Sequence, residues 1–141
     1  MSTVPANGPG STFVERVTAV ERAYEYMVAS AAQGRRSDVE GNEVSSIRDL
    51  LTRASLALDG LSRAKAEDVG LPRAATDSIE NFTAVIREDS RKARAMIGVV
   101  LAQPAISSAM VDNLNASVHL RTLITDLFVI SAVIKAATPA S

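Results

Sequence analysis

Apolar residues recur along this chain in alternating steps of three and four, the spacing that lines one face of an α-helix. The first run is Phe13, Val17, Val20, Tyr24, Met27 and Ala31. Its steps of four, three, four, three and four are those of a seam between helices packed nearly parallel. The second is Val44, Ile47, Leu51, Ala54, Leu58 and Leu61. The third is Ile79, Phe82, Ile86, Asp89, Ala93, Met96 and Val100, with Asp89 standing where an apolar residue belongs. The fourth is Ala109, Asn113, Ala116, Leu120, Leu123, Leu127, Ile130 and Ile134, again with one polar interruption, Asn113.

Start and stop signals bracket these runs. Thr12 and Glu15 have the spacing of a capping box, and Gly34 suits a helix C-terminus. Ser37 to Glu40 repeats the box, although Gly41-Asn42 weakens the first turn there. Val69-Gly70-Leu71-Pro72 closes the second run, and Pro72 can open the third as its first helical residue. Gln103-Pro104 ends the third. The expected elements are helices over about 12–33, 38–66, 72–102 and 106–137, with a loose arm at 1–10 and a loose tail at 138–141. The last helix is read as one unbroken rod about 45 Å long, at about 1.5 Å per residue. Strand-like alternation is absent from the pattern, and the connections are short. The fold class is therefore all-α, an antiparallel up-down-up-down four-helix bundle.

The end of the fourth helix breaks the one-stripe rule. After Asp126 nearly every residue is apolar: Leu127, Phe128, Val129, Ile130, Ala132, Val133 and Ile134. A helix apolar all round must be covered all round. Val118, Thr122, Thr125, Phe128, Val129 and Val133 make up a second face beside the seam. That face is expected to contact protein, either a partner or a second copy of the chain in a homodimer.

Composition narrows the chemistry. The chain has 141 residues, 47% of them apolar but only 4% aromatic, with no Trp. The core must be aliphatic, and few rings remain for stacking on bases or flavins. Fifteen basic and sixteen acidic residues interleave to a net charge of −1, so no strongly basic face is expected for nucleic acid. The basic spots are Arg35-Arg36 and Arg87 to Arg94, the latter diluted by Glu88 and Asp89 and expected to be solvated and ion-paired. The absence of Cys excludes disulfides, zinc–thiolate sites and thiol catalysis, and is compatible with a reducing cytoplasm. The first residues lack the basic start and apolar run of a secretion signal. The charge-free run Leu127–Ile134 falls well short of the roughly 20 residues of a spanning helix, so no membrane insertion is expected.

Candidate chemical groups are few. His119 is the only histidine. The string Ser117-Val-His-Leu-Arg-Thr-Leu-Ile-Thr125 resembles part of the phosphoacceptor box of histidine kinases, with Leu120-Arg121-Thr122 on its Leu-Arg-Thr. His119 then stands one residue late, on the box's Glu position, and the box's Pro is missing, so the activity is not carried over. His119 is nevertheless the candidate acceptor if the chain is a phosphorelay module. Metal binding has little to draw on: ferritin-like bundles need two Glu-x-x-His pairs, and one imidazole cannot supply them. Asp89 and Asn113, on adjacent helices, are read as setting the register of the bundle, or as the polar floor of a small-molecule sensor's pocket. No Ser-His-acid pattern, phosphate-cradling Gly loop or dinucleotide fingerprint appears. The expectation is a non-enzymatic, cytoplasmic interaction protein (an adaptor, chaperone or assembly factor) without catalytic residues, metal or cofactor, acting through the last helix.

Overall fold

The computed structural model describes residues 12–32, 42–71 and 76–137. Among them the chain is all-helical, with six helices: α1 (Phe13–Ala32), α2 (Asn42–Leu61), α3 (Ala66–Val69), α4 (Thr76–Leu101), α5 (Ser108–Ala116) and α6 (Val118–Ala137). The expected arm, the tail, the Gly34 stop and the starts of the second and third helices lie outside the described residues.

Local chemistry explains where the elements begin and end. The predicted capping box opens α1: Thr12 N donates to Glu15 Oε1 at 2.9 Å, and Glu15 N donates to Thr12 Oγ1 at 3.1 Å. The second helix stops at Leu61, not 66. Ser62 Oγ donates to Asp59 O at 2.7 Å, and the tight turns Arg63 N to Gly60 O and Ala64 N to Leu61 O use up the next donors. The short α3 then starts where Lys65 N donates to Asp68 Oδ2 at 2.9 Å. It ends at Gly70, whose φ of 78° is the left-handed conformation that favours glycine.

The long helices pack in sequence. Gly60, near the end of α2, lies against the Arg16 side chain at the start of α1, so those two helices run in opposite directions. Arg48 donates to Leu101 O at 2.9 Å and to Gln103 O at 2.8 Å, while Arg94 pairs with Asp59 at 3.3 Å and Arg87 donates to Ala64 O at 2.9 Å. These contacts set the start of α2 beside the end of α4, again antiparallel. They also engage Arg87 and Arg94, two of the four basic residues of the belt Arg87–Arg94. Arg91 pairs with Glu88 on the surface, and Lys92 is exposed there without an ion pair among the described residues. α6 packs against α4, and α5 and α6 both reach α1.

The core is the aliphatic seam the spacing predicts. Phe13, Val17, Val20, Met27, Ile47, Leu51, Ala54, Leu58, Leu61, Ile79, Ile86, Ala93, Leu120, Leu123, Leu127 and Ile130 are all buried. Tyr24, Phe82, Met96 and Ile134 pack half-buried against them. Thr83 and Ser90 are buried polar residues on α4; Thr83 Oγ1 donates to Ile79 O at 2.6 Å, inside its own helix.

The principal correction concerns the fourth predicted helix. It is two helices, bent by 56° between Ala116 and Val118. Ser117 makes the break: its backbone is extended (φ −63°, ψ 132°). Its Oγ accepts from Leu120 N at 3.3 Å and donates to Met96 Sδ at 3.2 Å. It thus acts as the N-cap of α6 and is anchored to α4. Another serine opens α5, where Ser107 Oγ accepts from Met110 N at 3.2 Å. The break changes the phase of the apolar pattern. Val111 and Leu114 enter the core, whereas Ala109, Asn113 and Ala116 are exposed. Asn113 is therefore not a core interruption, and no polar floor joins it to Asp89.

Candidate interaction face on the last helix

Freed from α5, α6 has a clear division of faces. Leu120, Leu123, Ile124, Leu127 and Ile130 point into the core. On the opposite side Val118, Thr122, Thr125, Val129, Ala132 and Ala136 are all exposed. They recur in steps of four, three, four, three and four, a second seam that no described residue covers. Phe128 and Val133 flank this stripe on its two edges. Exposure is high for large apolar side chains: Val118 74%, Phe128 51%, Val129 48% and Val133 42%. All six residues of the predicted face lie on the surface together. Thr125 Oγ1 donates back to Arg121 O at 2.9 Å, so its hydroxyl needs no partner from outside. Arg121 Nε is turned toward Asn115 O at 3.3 Å. From Thr122 to Ile134 the only charged residue is Asp126, and it sits on the edge toward α4.

Phe128 lies on the other edge, toward α1. A cleft of about 130 Å³ opens there between the N-terminal half of α1 and the C-terminal half of α6. Val14, Val17, Thr18, Glu21, Ser131, Ile134 and Lys135 line it. Val14 is half exposed at its rim. The Glu21 carboxyl is held above the usual range, first by its partial burial and then by Glu25 one turn away.

The polar groups singled out in the sequence are dispersed. His119 is exposed on α6, and Asp112 is exposed on α5 beyond the bend. Asp112, His119 and Asp126 recur every seven residues, but the bend between α5 and α6 keeps them from forming one surface. Asp89, the apolar-position acid on α4, does have a polar partner across the helix interface, but it is Asp126. The two carboxyls meet within hydrogen-bond reach. Asp126 Oδ2 is buried and finds no donor among the described residues. Burial first, then the shared hydrogen bond and the charge of Asp89, push Asp126 up to about 7. The sequence pattern does not show the pair, because a straight last helix would place a residue nearer the Gln103-Pro104 turn level with Asp89. The bent nine-residue α5 takes up that length and moves the facing residue down to Asp126.

Nothing among the described residues gathers three metal-ligating side chains. No single described helix is long and apolar enough to cross a membrane, and α5 with α6 reaches that length only as a bent pair. Compared with the profiles of known families, with curated proteins and with solved structures, the chain matches none of them.

Proposed function

We propose that this chain is a non-enzymatic helical interaction protein of the cytoplasm, an adaptor, chaperone or assembly factor, and that it self-associates through the outer face of α6. In this reading α1, α2, α4 and the α5–α6 pair are the four members of an up-down-up-down bundle, with the last member kinked at Ser117. The observation that carries the proposal is the second apolar seam on α6, from Val118 to Ala136, left uncovered by the rest of the described chain. Contiguous apolar surface of this kind marks an interaction site. A lone exposed valine does not, and Val99 on α4, exposed at 66%, serves as the comparison.

The test is chemical cross-linking over a range of concentrations, comparing wild type with Val129→Glu and Val99→Glu. The reading predicts that cross-linked dimer is lost in Val129→Glu and kept in Val99→Glu. Equal cross-linking in all three would defeat it, as would a monomer that instead co-sediments with phosphatidylglycerol vesicles.

One observation favours a second reading. The only histidine is solvent-exposed on a helix, as a phosphoacceptor must be. Incubation with phosphodonor proteins decides it. Acid-labile label that disappears in His119→Gln supports a phosphorelay role, and its absence from wild type removes that role.

A further inference from the structure

The outer face of α6 alone makes a thin interface. A helix of 20 residues is about 30 Å long and about 10 Å wide. That footprint, about 300 Å², is well below the roughly 800 Å² per partner of a standard stable interface. A pairing that also engages α1 approximately doubles it. The feature that reaches α1 is the cleft lined by Val14, Val17, Thr18, Glu21, Ser131 and Ile134. At about 130 Å³ it is close to the roughly 150 Å³ of an apolar cavity that holds benzene. A phenyl ring suits it, and the half-exposed ring on the same edge of α6 is Phe128.

Symmetry selects how the ring can reach a cleft. Phe128 and the cleft share the α1 edge of α6. In a parallel two-fold pair, like edges of the two helices fall on opposite sides, and Phe128 would meet the edge that carries Asp126. In an antiparallel two-fold pair like edges fall on the same side, so each Phe128 faces the other copy's cleft. The cleft centres about five residues beyond Phe128, so the two-fold axis passes near Ile130 and Ser131. Val129 then meets the other copy's Ala132, and Thr125 meets its Ala136. These small-against-medium contacts allow close helix approach.

Charge agrees with this register. Glu21 and Glu25 are neighbours one turn apart on α1, and neither enters an ion pair among the described residues; Lys135 enters none either. Val14 to Glu21 lie level with Ser131 to Lys135, and α1 runs opposite to α6, so Glu25 is level with residues near Asp126. The antiparallel register brings the other copy's Lys135 to that same level, beside the two glutamates.

We infer that two copies pair antiparallel through α6, the Phe128 ring of each seated in the α1–α6 cleft of the other. This rests on the self-association proposed above and adds its geometry.

The test uses complementary halves of the contact, followed by sedimentation equilibrium. Phe128→Ala keeps the cleft and loses the ring; Ser131→Leu keeps the ring and fills the cleft. Each alone should weaken dimerisation at least tenfold. A one-to-one mixture, with one variant carrying a mass tag, should form a heterodimer tighter than either homodimer, because one ring-in-cleft contact is restored. Thr18→Leu fills the cleft from the α1 side and replaces Ser131→Leu should that variant melt early. Phe128→Ala dimerising like wild type, or a mixture no tighter than its components, overturns the ring-in-cleft geometry while leaving self-association standing. A wild type that stays monomeric overturns both.

Discussion

Replacing Asp126 with asparagine probes the carboxyl pair between α4 and α6. In the folded protein Asp126 is raised from 3.8 to about 7 by burial and by Asp89. Between those two pH values the folded state holds a proton that the unfolded chain has released. Stability therefore falls as pH rises from about 4 to about 7, and is level above that. A fully dry pair with this displacement would lose about 4 kcal/mol, at about 1.4 kcal/mol per tenfold change. The pair sits at the edge of the interface where water screens it, so about 1–2 kcal/mol is the expected loss. Asp126→Asn removes the ionisation and offers an amide N–H to Asp89 in its place. The variant should match wild type near pH 4 and exceed it by about 1–2 kcal/mol at pH 8. For a chain of this size that is a shift of a few °C in Tm, about 4 °C per kcal/mol. The assay is urea unfolding of both proteins at several pH values and one fixed protein concentration, since the proposed association also contributes to stability. The difference between the two curves cancels every contribution common to both proteins. A difference that does not change between pH 4 and pH 8, or an Asn variant less stable at pH 8, refutes the reasoning.

Other changes follow from single residues. Ser117→Ala removes the side-chain acceptor for Leu120 N and the contact to Met96, and should lower stability by about 1 kcal/mol in urea unfolding; Ser117→Asp, which keeps the cap, should recover part of it. Gly98→Ala places a methyl in open space within α4 and should raise Tm, with about 0.5–1 kcal/mol gained from helix propensity. Leu58→Ala empties a fully buried position on α2 and should lower the urea-derived stability by about 2–5 kcal/mol.

The parts of the fold that were legible share one cause: a pattern that stays in phase within a straight helix. Thr12 and Glu15 cap α1 as their spacing implies, and every described side chain of the second run, from Ile47 to Leu61, is buried. The break at Ser117 is hidden in the spacing, which continues across it through small residues. A signal was nevertheless present. In a straight helix Val111 and Leu114 would lie on the side of α6 opposite Leu120 and Leu127, leaving the two bulkiest buried residues of α5 in water. The break at Ser117 turns them inward. The six residues of the outer face keep a common phase and are exposed together, since all of them lie on α6 beyond the break. The cleft was beyond reach from the sequence because it joins residues more than a hundred positions apart, from Val14 to Lys135. The acid pair was half legible: Asp89 stood out in its seam, but its partner depended on where α5 bends.

The central claim is that the uncovered seam of α6 is closed by a second copy of the chain. Sedimentation equilibrium of the wild-type protein tests it most directly. The account predicts a particle of twice the 14.9 kDa chain mass that dissociates on dilution and becomes monomeric in Val129→Glu without loss of helix content. A wild-type protein that remains at the monomer mass at every accessible concentration would contradict it.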